Sequence, residues 1–182
     1  MSKVFLDANI LYSGTCRSLF IWLHVNRAIE MYWSQEAWDE VFRNFAEKND
    51  ADKSARFKSS MQKNAIDEFP ECMISPGFFT PVGLKDKDDE HILAAAVVAG
   101  ADFLLTNDIV LLGEVLPASL DVKIVKPDDF LVDVASLKNP ESVKQSIHDH
   151  VQSLKSNPTS EIYTASLVKA GLARVSKKIK MS

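Results

Sequence analysis

Asp7, Glu40, Asp89 and Asp108 are the residues whose types and positions best suit chemistry. Asp7 closes a short apolar run at residues 4–6, and Asp108 follows a second, Phe103–Leu105, the pattern of buried strands that end near a carboxylate. Asp89 stands among three acids, Asp88, Asp89 and Glu90, at the head of an apolar stretch, and Glu40 lies on a stretch of helical periodicity. Carboxylates a few ångströms apart raise one another's pKa, so a site that gathers these four either holds protons or binds a cation. With oxygen donors only, that cation is a hard one, Mg²⁺ or Mn²⁺. Such a cation keeps several waters and completes its shell with phosphate oxygens, which suits phosphoryl chemistry. It polarises the phosphodiester, lowers the pKa of an attacking water and stabilises the leaving oxygen. No Ser–His or Cys–His pair is evident, so direct attack by water is the simpler mechanism.

The elements that must position these acids alternate between strand and helix. After the strand at 4–6, apolar Leu19, Ile21, Trp22, Leu23 and Val25 predict a helix over about 16–29, and 31–34 reads as a second strand. Ala37, Trp38, Val41, Phe42 and Phe45 predict a helix from Glu36 to Lys48. A polar helix over 51–68 carries Arg56, Lys58 and Lys63, and 72–74 makes a third strand. A loop at 83–87 leads to the acid-headed helix, which runs from Asp88 to Val98 with Gly100 as its C-terminal cap. Phe103–Leu105 is the fourth strand, 122–125 the fifth, and Pro127 opens a short helix. This alternation predicts a mostly parallel sheet of about five strands, covered on both faces, with right-handed crossovers. Ligands of such sheets bind beyond the C-terminal strand ends, where Asp7 and Asp108 fall.

The character changes after Leu137, so residues 1–137 read as one domain and 138–182 as a helical extension. Val143, Ile147, Val151 and Leu154 form one apolar stripe; Ile162, Ala165, Leu167 and Val168 mark another helix before Gly171. Those stripes need a surface to cover, either on the body or on a second subunit. The formal net charge of −4 divides unevenly: residues 1–137 hold 13 Lys+Arg against 22 Asp+Glu, and residues 138–182 hold 8 against 3. An acidic body of −9 with a +5 tail suggests an anionic partner, although a solvated helix face explains the tail equally well.

With 46% hydrophobic and 25% charged residues, the chain is neither disordered nor a repeat protein. No apolar stretch reaches the roughly 18 residues of a membrane span. Met1-Ser2-Lys3 runs straight into a strand, so no signal peptide is expected, and the reading is cytoplasmic. Cys16 and Cys72 lack a CxxC spacing, which argues against a disulfide framework or a cysteine zinc site.

Each candidate has a plainer alternative. Asp7 could be a turn residue, and Glu40 could sit on a solvated face with Glu36 and Glu47. Asp88 is taken as the capping acid and Asp89 as the ligand, because Asp89 stands three residues before Ile92. His91 more naturally packs or hydrogen-bonds than ligates. His148 and His150 point about 200° apart on a helix, so they share no metal. Trp22, Trp33 and Trp38 read as core or dimer-interface aromatics. Arg56, Lys58, Lys63 and the tail lysines either track a phosphate backbone or belong to salt-bridged surface helices.

Taken in order, four blocks carry a family resemblance: Phe5-Leu6-Asp7-Ala8-Asn9-Ile10-Leu11; Glu40 within residues 34–45; Asp86-Lys87-Asp88-Asp89-Glu90-His91-Ile92-Leu93-Ala94; and Leu104-Leu105-Thr106-Asn107-Asp108. An opening D-x-N, a helix Glu, a D-x-x-I/L-A helix start and a closing T-x-D over residues 4–112 resemble the PIN-domain nucleases. The resemblance implies a three-layer α/β/α sandwich with strand order 3-2-1-4-5 and Mg²⁺- or Mn²⁺-dependent RNA cleavage. It places Asp7, Glu40, Asp89 and Asp108 on the family's acidic positions, with Asp7 and Asp89 as the most direct ligands. Asn9 and Thr106 match polar positions that steady the acids, and Asp86 matches an extra acid seen in part of the family. The chain's length and the helices of 138–182 resemble the VapC-type toxins, implying an antitoxin partner and a homodimer. Two rivals stand beside this reading. A haloacid-dehalogenase-type phosphatase needs D-x-D, where this chain has Asn9. A non-catalytic module would use the acids only to bind a cation or a basic partner.

Overall fold

The computed structural model describes residues 1–75, 77 and 80–180. Five strands form one sheet: β1 (Ser2–Leu6), β2 (Ile29–Ser34), β3 (Met73–Ile74), β4 (Phe103–Leu105) and β5 (Lys123–Val125). Their order is β3-β2-β1-β4-β5 and every pairing is parallel, so the expected topology stands. Val4, Phe5 and Leu6 of central β1 have no solvent exposure, which is why the run lacks polar alternation. Phe5 lies opposite Tyr32 on one side and Leu104 on the other, and Leu6 opposite Leu105. The strand ends therefore align, and two further bonds extend the ladder past them: Asp7 N–H to Leu105 C=O (3.1 Å) and Thr106 N–H to Val125 C=O (3.2 Å).

Helices form the layers on either side of the sheet. The first crossover differs from the expected single helix: α1 (Ala8–Tyr12) precedes α2 (Gly14–Val25), and β2 begins at Ile29. Two side chains cause the break, Asp7 capping α1 and Ser13 accepting from Cys16 N–H to start α2. The next helices are α3 (Gln35–Ala46), capped by Ser34, and α4 (Ala51–Met61), capped by Asp50. The expected helix over 51–68 loosens into a π-helical turn at Gln62–Ile66. Cys72 lies in the 3₁₀ turn Pro70–Cys72 rather than in β3. Trp33 and Trp38 are fully buried and meet edge to face at 5.5 Å, and Phe42 stacks on Trp38.

A 3₁₀ turn at Lys87–Asp89 leads into α5 (Glu90–Val98), which ends before Gly100 at φ +60°. Short α6 (Ile109–Leu112) follows Asp108, and α7 (Pro127–Phe130) continues through a π-helical turn at Leu131–Ala135 into α8 (Ser136–Lys138). The last helices are α9 (Pro140–Ser153), α10 (Ser160–Lys169) and α11 (Ala173–Lys180).

These helices cover the body of the same chain: Val143 is buried, Ile147, Val151 and Leu154 pack partly buried against the core, and the most buried line is shifted from the expected stripe. The buried line of α9 is Val143, Ser146 and His150; Ser146 Oγ donates to Trp22 C=O (3.1 Å) and His150 Nδ1 meets Tyr163 Oη (2.9 Å). In α10, Tyr163, Thr164 and Leu167 are buried, while Ile162 and Val168 are exposed. Polar groups share the inward face with the aliphatics: Ser146 is hydrogen-bonded there, whereas His150 is bonded through Nδ1 while its buried Nε2 has no partner among the described residues. Asp128 caps α11 by accepting from Arg174 N–H (2.8 Å) and Val175 N–H (3.0 Å). The Arg174 guanidinium pairs with Asp129 and Asp133, so one tail cation is spent within the chain.

Candidate metal centre

Asp7 is the best-held acid of the group. It sits one residue past β1, is 7% exposed, and caps α1 by accepting from Ala8 N–H through Oδ1 (2.6 Å). Its Oδ2 accepts from Thr106 Oγ1–H (2.6 Å) and from the Asn9 amide. Oδ1 takes a single donor and keeps a lone pair for a ligand. Burial raises the Asp7 pKa most; the bonds from Thr106 and Ala8 oppose this, and the charges of Glu40 and Asp108 add to the rise.

Thr106, fully buried at the end of β4, joins the two sheet-end motifs. While donating to Asp7, its hydroxyl accepts from Asn9 Nδ2 (2.9 Å) and from Asp108 N–H (2.9 Å). Asn9 Oδ1 accepts in turn from Asn107 N–H (3.0 Å). The D-x-N and T-x-D segments are thus laced together by side chains, which accounts for both polar positions. Asp108 Oδ1 caps α6 through Val110 N–H (2.7 Å) and Leu111 N–H (3.0 Å). Its other oxygen takes no hydrogen bond among the described residues.

Asp89 approaches from the 3₁₀ turn before α5. Its carboxyl is pushed up to about 6, first by burial, then by the charges of Asp86, Asp108 and Asp7, with His91 acting weakly the other way. The capping role expected of Asp88 belongs to Asp86, whose Oδ1 accepts from Asp88 N–H (2.9 Å). The helix proper starts two residues later than the acid run suggested, so Asp86 rather than Asp88 stands at the turn. Glu90 does not face a ligand. Its carboxylate turns back to accept from Val82 N–H (3.1 Å), Gly83 N–H (2.7 Å) and Leu84 N–H (2.8 Å). Glu40, half-buried on α3, completes the group, with Asn44 Nδ2 at 3.4 Å from Oε1.

Asp7 therefore comes within electrostatic reach of Glu40, Asp89 and Asp108 at the C-terminal end of the sheet, and Asp89 within reach of Asp108. Beside them opens a cleft of about 600 Å³ lined by Glu36, Asp39, Glu40, Arg43, Asp86, Asp88, Asp89, His91 and Asp108. Seven of these nine residues are acids, so a polyanion can approach only with cations between. Clustered carboxylate oxygens, with Asp7 and Asp89 both raised by burial and neighbouring charge and Asp7 preorganised by three hydrogen bonds, fit a hard divalent cation. Arg43, one turn beyond Glu40 on α3, was not foreseen; its spacing from Glu40 is the signal that would have indicated it.

Elsewhere, His24, Glu71 and Cys72 bring ligand atoms within 4.8 Å of one another, a possible metal-binding group. His24 lies far in sequence from the adjacent Glu71 and Cys72, and the three match no spacing rule. His150 is buried against Tyr163, and burial alone pulls its pKa down to about 4. Neither it nor His148 belongs to a metal group among the described residues. No described helix is long and apolar enough to cross a membrane.

No curated protein and no solved structure matches the chain. The PIN domain family model matches residues 3–110, more than half of the 182 residues. That span runs from β1 to the start of α6 and includes every acid of the cluster. PIN domains are generally nucleases that act on RNA and typically use divalent metals. By this match and by its parallel five-stranded sheet in the order 3-2-1-4-5, the chain belongs to the PIN domain family.

Proposed function

We propose that this chain is a Mg²⁺- or Mn²⁺-dependent endoribonuclease whose metal ligands are Asp7, Glu40, Asp89 and Asp108. One observation carries the reading: Glu40, Asp89 and Asp108 line one acidic cleft, and buried Asp7, just past β1, lies within electrostatic reach of all three. When bound, a hard divalent cation supplies charge neutralisation at the phosphodiester and makes water a better nucleophile near neutral pH. The chain's own residues hold the rest in place. Thr106 and Asn9 fix the Asp7 carboxylate, and the α6 cap fixes Asp108. Arg43 offers the cleft a cation for a substrate phosphate, and Asp86 adds negative charge beside Asp89. Attack by water in line with the leaving oxygen needs no covalent enzyme intermediate.

We further infer that the chain is the toxin of a toxin–antitoxin pair, a cytoplasmic homodimer held inactive by its antitoxin. The ordered motifs and the helical residues 138–182 support this narrower reading. Its expected mark is a small neighbouring reading frame whose product binds the chain and silences cleavage.

The test is cleavage of structured and unstructured RNAs by the purified chain with Mg²⁺, with Mn²⁺ and with a chelator. Activity should require the metal, and Asp7→Asn should abolish it with an unchanged circular dichroism spectrum. Equal activity in wild type and Asp7→Asn removes the assigned site.

A further inference from the structure

The end of the sheet opposite the acidic cleft carries a second set of ligand atoms, of a different chemical kind. His24 lies in the last turn of α2, and Glu71 and Cys72 lie in the 3₁₀ turn that leads into β3. His24 Nε2 is 3.6 Å from Cys72 Sγ and 3.6 Å from Glu71 Oε1. Zinc bonds of about 2.3 Å to sulfur and 2.0–2.2 Å to nitrogen and oxygen, at tetrahedral angles, give ligand–ligand edges of about 3.4–3.6 Å. The two observed separations match those edges. From this geometry we propose that His24, Glu71 and Cys72 form a binding site for a thiophilic divalent cation, Zn²⁺ above all.

The surroundings suit a three-ligand site. Cys72 is fully buried, His24 is partly exposed and Glu71 is exposed, so the sulfur forms the floor and the carboxylate the mouth. A solvent-open pocket of about 400 Å³ touches His24 and Glu71, leaving the fourth position to water. Phe69 meets the imidazole edge to face at 6.0 Å and orients it. A thiolate and an imidazole select against the hard cations that suit the acidic cleft. Cys72 ligates as thiolate, and its proton passes to solvent. Without metal, burial and the Glu71 charge push the thiol up to about 12, which excludes a nucleophilic role for it.

One existing bond must be given up. Met31 N–H donates to His24 Nδ1 at 3.3 Å, which leaves the ring proton on Nε2. Ligation through Nε2 requires that proton on Nδ1 instead. The bond lost is a long one, and its loss makes this site weaker than one whose Nδ1–H meets a carbonyl. In return, the metal ties α2 to β3, an edge strand of two residues with little pairing of its own.

The experiment is titration of the folded chain with Co²⁺ and Zn²⁺, read by absorbance and by thermal unfolding. Tetrahedral Co²⁺ on a thiolate gives a near-ultraviolet charge-transfer band, which Zn²⁺ should displace while raising the melting temperature by several degrees. The band should vanish in Cys72→Ser and His24→Gln, with the Zn²⁺ shift reduced to what the acidic cleft supplies, weaken at least tenfold in affinity in Glu71→Gln, and persist in Asp7→Asn. Glu71 is exposed, so Glu71→Gln tests the site even where the buried variants fail to fold. The proposal is overturned by the absence of a thiolate band in wild type, by its persistence in Cys72→Ser, by an undiminished affinity in Glu71→Gln, or by its loss in Asp7→Asn.

Discussion

Thr106 uses every hydrogen-bonding capacity its hydroxyl has. The proton goes to Asp7, and the two lone pairs accept from Asn9 and from the Asp108 backbone. A residue that ligates nothing itself thus fixes one acid by its side chain and another by its main chain. Thr106→Val keeps the shape and β-branching but removes the hydroxyl donor to Asp7, leaves Asp108 N–H without its acceptor and reduces the Asn9 amide to its bond with Asp7. We expect such a loss to weaken Mn²⁺ binding by about 10–100-fold, the usual cost of removing a group that orients a ligand. Thr106→Ser retains the hydroxyl and should recover most of the affinity, measured by calorimetric Mn²⁺ titration of both variants. An affinity for Thr106→Val within twofold of wild type shows that Asp7 is not held through Thr106.

At the scale of elements, the acid-bearing turn before α5 depends on a residue one position further on. Glu90 folds back over three consecutive backbone N–H groups, Val82 to Leu84, and so anchors the segment that delivers Asp86 and Asp89. Glu90→Gln replaces charge-assisted bonds with a neutral acceptor and adds an N–H₂ that faces donors. Expected outcomes are faster amide exchange at residues 82–84, a stability loss of about 1 kcal/mol and a several-fold weaker metal affinity. Unchanged exchange at those amides would refute the anchoring role. This anchor was invisible in the sequence, where Glu90 reads as one more acid favouring a helix N-terminus. Other misses share that cause. The five residues of α1 are too few to display a period, and the tertiary partners of Ser146 and of His150 Nδ1, Trp22 C=O and Tyr163 Oη, are not visible in a hydropathy pattern. Where a stretch needs no side-chain partner, as in residues 4–6, Phe103–Leu105 and Ile92–Leu93–Ala96, hydropathy placed it correctly. Asp7, Asp89 and Asp108 had an address in the sequence because strand ends and a helix start position them, whereas Glu40, in the middle of α3, and the laced bonds of Asn9 and Thr106 depend on a register that only the folded sheet supplies.

Over the whole molecule, the −9 body and +5 tail are not independent, since Arg174 already pairs with Asp129 and Asp133. The more telling contrast is between two titrating groups whose shifts have opposite effects. Burial holds His150 near 4, below its ordinary 6.5. The unfolded chain therefore takes up that proton first, and the stability His150 contributes is present above about 6.5 and lost as pH falls through about 4. Burial and neighbouring charge hold Asp89 near 6, above its ordinary 3.8, so its contribution is present below about 3.8 and lost as pH rises through about 6. His150 is buried and accounts for up to about 3 kcal/mol, whereas part-exposed Asp89 is screened to roughly 1 kcal/mol. Acid thus removes the His150 contribution between pH 6.5 and 4, while the raised carboxyls of Asp89 and Asp7 act in the opposite sense. The surface carboxylates with lowered pKa values, Asp50, Asp133 and Glu90, begin to yield as pH falls through the ordinary carboxylate range and reinforce the acid limb at its lower end. His150→Gln keeps a hydrogen-bonding partner for Tyr163 but cannot titrate, so its melting temperature should stay level or rise slightly from pH 6.5 to 4. Mn²⁺ should raise the melting temperature of both proteins at pH 7 and do little at pH 4.5, where Asp89 is protonated. Thermal melts of the two proteins across this range, with and without Mn²⁺, separate the contributions. An acid limb that persists unchanged in His150→Gln would place the sensitivity outside the α9–α10 contact.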